Sequence, residues 1–229
     1  MDLKDDLSKE VRDILRLDWK EREGRKVPEA ENVQLGNDAV MINGTVLYAD
    51  LAESTKLVDE STRKFAAEIY KCFLICACRV INNNGGVITA FDGDRVMAVF
   101  IGDSKNTSAA KSALQIAYAV RHILVPEVRS NYTIPSFTLG HSVGIDTGSL
   151  LVARTGIRGS NDLVWVGGAA NWAAKFSGLR EENYCSWISE PVFNTLNVSA
   201  KIGTDGRSMW EPRCWGSNTI YRSNWWRKV

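Results

Sequence analysis

The sequence predicts an α+β domain whose centre follows the ferredoxin-like order β-α-β-β-α-β. Three observations carry this. A β-rich apolar run, Thr45 to Leu51, is bounded by Gly44. Two long stretches with helical spacing of apolar residues follow it, from Thr55 to about Asn82 and from about Lys105 to Leu124. Between them lie two short apolar runs, Val87 to Phe91 and Arg95 to Phe100, joined at Asp92-Gly93, a pair favoured in tight hairpin turns.

Residues 1 to about 24 hold Leu7, Val11, Ile14, Leu15 and Leu17 among dense charges, an imperfect apolar stripe that predicts an accessory helix packed on the domain or against a partner. Residues 25 to 43, with Pro28 and Gly36, read as a connection. The expected organisation is therefore an N-terminal extension over 1–43 and one domain over 44–229. In the first long helix Phe65, Ile69, Cys72, Cys76 and Val80 share a face, and Asn82-Asn83-Asn84-Gly85-Gly86 ends it with residues that tolerate left-handed backbone. The second begins at Asp103 or Ser104 as cap and is expected to halt near Pro126. Phe137 to Ile145 is the fourth strand. Ser149 to Ala153 and Leu163 to Val166 read as further strands, and Gly168 to Leu179 as a short helix. Ser186 to Ser189 reads as a strand, followed by a helical turn after Pro191 and a last strand near Thr219 to Arg222.

Basic and acidic residues nearly cancel, with 28 of one and 27 of the other and a formal charge of +1, so no global field draws nucleic acid or an anionic membrane. No apolar run approaches the roughly 20 residues that span a bilayer. Five scattered cysteines without a leader-like N-terminus point to free thiols in a reducing cytoplasm. No second Cys or His cluster completes a zinc site.

The chemistry gathers at strand ends. In the predicted topology the third strand runs antiparallel beside the first, so Asp50, closing Val46 to Thr55, meets Asp94 of Phe91-Asp92-Gly93-Asp94. Paired carboxylates suit hard divalent cations, Mg²⁺ or Mn²⁺, which share their coordination with substrate phosphates. Backbone amides over Ala52 to Thr55, Ser54 among them, open a helix and are placed to receive phosphate oxygens, with Glu53 pointing away. The alternative is that each acid merely caps a turn. His122 and His141 have neither nucleophile nor metal cluster beside them and read as packing or surface residues. The tail Trp225-Trp226-Arg227-Lys228 is too short for a membrane anchor and is expected to pack on the domain or its partner.

These residues resemble the class III nucleotidyl cyclases. Tyr48-Ala49-Asp50-Leu51-Ala52 matches the family's first metal motif, and Gly93-Asp94 followed by Val96 to Phe100 its second. Gly144-Ile145-Asp146-Thr147-Gly148 matches the strand and turn after the second helix, and Gly167 to Phe176 the transition-state helix. The resemblance covers roughly Thr45 to Tyr221. It implies a cyclase domain with extra C-terminal strands that turns a nucleoside triphosphate into a 3′,5′-cyclic monophosphate and pyrophosphate. Two divalent ions would be held by Asp50, Asp94 and the carbonyl of Leu51. It also implies a homodimer with active sites shared across a two-fold interface, where Asn171 and Lys175 of one subunit face the carboxylates of the other. Lys175 stands where the family carries arginine and supplies charge without a planar two-point clamp; the other reading of Lys175 is a solvated helix face. Arg213 is a further candidate for approaching the triphosphate.

The base-reading positions depart from the purine cyclases. Three residues before Gly93-Asp94 stands Ala90, and seven before Asn171 stands Val164. Neither can hydrogen-bond a purine edge. This pattern resembles the bacterial Pycsar-type pyrimidine cyclases of anti-phage defence, which implies UTP as substrate, then CTP, then ATP, and a downstream effector that responds to the cyclic nucleotide. Tyr48 would narrow the pocket and Arg95 would offer donors to a pyrimidine carbonyl; otherwise Tyr48 is a core residue and Arg95 an exposed strand residue. Two other classes stand beside the enzyme: a catalytically silent nucleotide-binding module, and an RNA-binding sheet, for which the central strands lack the aromatic set. No nucleic-acid or membrane partner is expected.

Overall fold

The computed structural model describes residues 2–135 and 137–229; Met1, where the expected N-terminal helix starts, lies outside them. The chain forms two compact units, Met1–Asn43 with Ser149–Gly167, and Gly44–Gly148 with Gly168–Val229.

In the smaller unit the expected helix is shorter than predicted. Helix α1 spans Leu3–Arg16, and strand β1, Lys20–Glu23, follows where helix had been expected. No residue of α1 is buried, and Leu3, Leu7, Val11 and Ile14 leave an apolar stripe in the open, so the predicted packing within the chain is absent among the described residues. Asn37 ties down the end of α1 by donating to the carbonyls of Ile14 and Leu17. The stretch read as a connection is partly sheet. Strand β2, Asp38–Leu51, begins seven residues earlier than expected, and its first part pairs in parallel with β1, Lys20 opposite Asp38. Asn43 and Gly44, residues that usually bound strands, hid this continuity in the sequence.

The larger unit holds the βαββαβ core. After β2 come α2 (Ser54–Glu60), α3 (Arg63–Asn83), β3 (Val87–Asp92), β4 (Arg95–Phe100) and α4 (Lys105–Ala119). The single helix expected from Thr55 is thus broken at Ser61-Thr62, because the Thr62 hydroxyl accepts from the Phe65 amide and caps a new start. Pro126 does not stop the second helix. A π-turn over Val120–Leu124, with the Val125 amide bonded to the Val120 carbonyl, widens the coil and lets α5 (Val125–Tyr132) carry the proline in its first turn.

Strand β5, His141–Ile157, fuses two segments expected to be separate, and β6, Ser160–Val166, pairs antiparallel with its second half in the smaller unit. The larger unit then continues through α6 (Gly168–Ser177), β7 (Ser186–Ser189), α7 (Glu190–Asn194), α8 (Val198–Lys201), β8 (Glu211–Trp215) and β9 (Asn218–Ser223). Its strand order is β3-β4-β2-β5-β7-β9-β8. The first four strands stand in the ferredoxin-like order, with β4 antiparallel to β2 as predicted, and β7 adds in parallel beside β5.

Period-two alternation sorts this sheet into two faces. Leu47, Ala49 and Leu51 of β2, Val96, Ala98 and Phe100 of β4, Val143 and Ile145 of β5 and Ile188 of β7 share one core with α3 and α4. Their alternates face the other way, where Trp187 and Ile220 pack with Phe176 of α6. Helix α6 lies very close to β5: a Cβ on Gly144 would sit 2.2 Å from the Ala173 carbonyl oxygen and 2.3 Å from the Ser177 amide. The C-terminal tail packs as expected, with Trp225 against the main core and the Arg227 amide donating to the Leu114 carbonyl. Trp226 and His122 join Tyr118 in an aromatic cluster, which accounts for His122.

Candidate active site

Antiparallel register brings the two carboxylates together. Ala49 pairs with Val96, so the next residue of β2, Asp50, and the residue just before β4, Asp94, flank the same strand end. The turn that delivers Asp94 requires Gly93, whose φ of 61° is left-handed. Burial pushes the Asp50 carboxyl above its usual range; a hydrogen bond from Arg180 opposes this, and the negative charge of Asp94 adds to it. The Oδ2 atom of Asp94 is buried with no hydrogen-bond partner. A buried carboxylate oxygen left in that state calls for a cation or a donor. The set therefore fits a hard divalent ion held by Asp50, the Leu51 carbonyl and Asp94. Among the described residues no group of three or more His, Cys, Asp or Glu comes together, so substrate oxygens would have to complete the coordination.

The structure also shows what the sequence reading missed. Arg180, three residues past α6, donates from Nη2 to Asp50 Oδ2 at 2.8 Å and to the Leu51 carbonyl at 3.2 Å. Its Nη1 is held by the carbonyls of Ser177 at 2.6 Å and Leu179 at 3.1 Å. Nothing in local spacing marks this residue, because its partners lie about 130 positions away.

Beyond Leu51 the chain turns sharply. Glu53 has φ 58° and ψ 31°, a left-handed conformation that costs energy for a residue with a side chain, and it precedes Ser54 at the start of α2. Glu53 is exposed, as expected. The Ala52 amide, however, donates to the Gly140 carbonyl at 2.9 Å, so it is already engaged and the expected phosphate-facing amides reduce to those of Glu53, Ser54 and Thr55. Tyr70 of α3 reaches the Ser54 carbonyl at 3.3 Å and steadies the turn.

The expected base-facing residues of the larger unit fall in one row. Tyr48 pairs with Met97, and Met97 pairs with Ala90 after a register shift in β3 between Ile88 and Ala90. Without that bulge Ala90 would face the α3 and α4 core. Arg95, two residues before Met97, shares the face, and its guanidinium lies 5.3 Å from the centre of the Tyr48 ring. Arg95 also pairs with Asp92 at 2.8 Å, while its Nε is buried without a partner. Burial raises the Tyr48 hydroxyl pKa, with Arg95 opposing. Val164 lies on β6 in the smaller unit, opposite Ala153.

Asn171 and Lys175 stand four apart on the exposed side of α6, opposite Ala173 and Phe176. Among the described residues no hydrogen bond or ion pair joins either to Asp50 or Asp94 of the same chain. The Lys175 ammonium sits 4.6 Å from the Trp172 ring centre. Arg213 is paired with Glu181 at 3.0 Å. His141 is buried, its Nε2 unpartnered.

No family model matches the chain. Its fold is that of solved class III cyclases: it is similar to the guanylyl cyclase Cya2, with a TM-score of 0.67 at 16% identity, over 82% of this chain and 94% of that one. Sequence relatives are nearer. One named uridylate cyclase from Xanthomonas perforans is 50% identical over 99% of both chains. Another of that name, from Rhodovulum sp. (strain MB263), is 44% identical over 100% of this chain and 98% of its own. The chain belongs to the uridylate cyclase family of class III nucleotidyl cyclases. It is thus an enzyme, a phosphorus–oxygen lyase. Among the described residues no helix is long and apolar enough to cross a membrane.

Proposed function

We propose that this enzyme converts UTP to 3′,5′-cyclic UMP and pyrophosphate. The observation that carries the reading is the row Tyr48-Met97-Ala90 beside Arg95, on the sheet face that also bears Asp50. Ala90 offers a purine edge no side-chain partner, while the large Tyr48 ring leaves room for a smaller base. Arg95 supplies donors for a pyrimidine carbonyl. Since uracil and cytosine share the 2-carbonyl, the same donors favour CTP as the runner-up. The names of the relatives support uridine.

Two divalent ions, Mn²⁺ or Mg²⁺, would lower the pKa of the ribose 3′-hydroxyl and neutralise the departing pyrophosphate. Asp50, the Leu51 carbonyl and Asp94 would hold them; the amides of Glu53 to Thr55 would orient the distal phosphates. Asn171 positions the ribose and Lys175 places positive charge at the α-phosphate. Because both project from the exposed side of α6, they serve the carboxylates of a second subunit in a homodimer with two equivalent sites. We further infer a cytoplasmic enzyme whose product is a second messenger, read by an effector in anti-phage defence.

The test is purified protein with Mn²⁺ and each of ATP, GTP, CTP and UTP separately, products resolved by mass. Cyclic UMP as the main product, abolished in Asp94→Ala, is the expected result. Cyclic AMP as the main product would sink the pyrimidine reading, and no product from any nucleotide would favour a silent binding module.

A further inference from the structure

Arg180 occupies two of the three groups assigned to the cation. One nitrogen, Nη2, takes both Asp50 Oδ2 and the Leu51 carbonyl. The other, Nη1, is anchored on the last turn of α6 through Ser177 and on Leu179, so the guanidinium bridges the end of α6 to the end of β2. We propose that Arg180 is a built-in placeholder for the metal ion, which must leave Asp50 and the Leu51 carbonyl before an ion can bind them. This rests on the reading of Asp50 and Asp94 as the metal pair.

Charge and exposure say why the exchange can run. A single guanidinium compensates one carboxylate, and Asp94 Oδ2 stays buried without a partner while Arg180 is in place. A divalent cation answers both acids. The Arg180 side chain is 38% exposed, so it has a path to solvent, and a partly solvated ion pair holds it only weakly. Arg180 therefore lowers the apparent affinity for the ion by the fraction of molecules in which it has left. It also couples ion entry to α6, the helix that carries Asn171 and Lys175: once the guanidinium leaves Asp50, the end of that helix loses its tie to β2.

The experiment is a titration of nucleotide-free protein with Mn²⁺, free ion read by electron paramagnetic resonance, which needs no turnover. Arg180→Ala is expected to bind Mn²⁺ about tenfold more tightly than wild type, the factor for a competitor in place about nine-tenths of the time. Arg180→Met, which keeps the apolar stem, is expected to do the same, and circular dichroism reports whether each is folded. Unchanged or weaker binding in a folded variant overturns the proposal. Asp94→Ala separates the two readings. If it removes Mn²⁺ binding while the Arg180 variants bind as wild type, the placeholder is wrong and the metal pair stands. If it binds Mn²⁺ like wild type, the metal pair itself is wrong.

Discussion

The Arg95 guanidinium lies 5.3 Å from the centre of the Tyr48 ring, across the β2–β4 pair and on the face that carries Asp50. An arginine stacked on an aromatic ring is held by the ring quadrupole and keeps its N–H edge available to a ligand. Replacing Arg95 by alanine should lower kcat/KM for UTP about tenfold or more, since a donor to the base is lost, yet change stability little. Its ion pair is to an Asp92 side chain that is 80% exposed, which contributes at most about 1 kcal/mol. Tyr48→Ala should instead raise the share of purine product when all four triphosphates compete. Product ratios by mass spectrometry check both.

Asn171 and Asp50 are expected to act across a dimer. Mixing an Asp50→Ala chain with an Asn171→Ala chain should restore activity that neither has alone. With full subunit exchange about half the dimers are mixed and each carries one intact site, so about one quarter of wild-type activity returns. An absence of rescue under proven exchange would rule out a shared site.

The carboxylate pair trades stability for function. Asp94→Asn removes a negative charge beside Asp50 and puts a neutral amide where a charged oxygen was buried without a partner, so in EDTA this variant should be more stable than wild type by about 1 kcal/mol, while its activity is lost. Mn²⁺ should raise the melting temperature of wild type and not of the variant.

His141 makes the fold sensitive to acid. Burial, with Arg121 and Arg180 nearby, lowers its pKa to about 3, well below the 6.5 of a free imidazole. A depressed histidine pKa means that the unfolded chain takes up the proton first. Its contribution is therefore fully present above pH 6.5 and is lost as pH falls towards 3. Between pH 7.5 and 5.5 this single group should cost about 1 kcal/mol of stability. Urea unfolding at the two pH values measures it, and His141→Phe, which suits a site beside Phe73, should flatten the dependence.

Gly144→Ala tests how α6 is seated. The added methyl would meet backbone of α6 at 2.2 Å and 2.3 Å, atoms that cannot swing aside, so α6 must shift. A loss of about 3 kcal/mol is expected, with a fall in kcat larger than any change in KM. Thermal melts and steady-state kinetics read the two effects.

Much of the proposed site was legible because it is local. Asp50, the Gly93-Asp94 turn and the spacing of Asn171 and Lys175 on one helix are each written within a few residues, and antiparallel pairing of the first and third strands followed from element order. Element lengths were less legible. Pro126 was expected to end a helix, and a π-turn absorbed it; Ser149 to Ala153 was expected as a separate strand, and β5 ran straight through. At the proline, the bond from the Val125 amide to the Val120 carbonyl outweighed the local signal.

By itself the sequence determined the βαββαβ order and the two acids at matched strand ends, since alternation, helical period and turn chemistry act over short stretches of chain. Tertiary structure alone decided that Thr89 is bulged so that Ala90 joins the row of Tyr48, that the Ala52 amide is taken by Gly140, and above all that Arg180 rests on Asp50 and Leu51. A guanidinium has no preferred partner written in its neighbours. Which carboxylate it meets depends on where β2 and the end of α6 finish, and only the folded domain brings those two ends together.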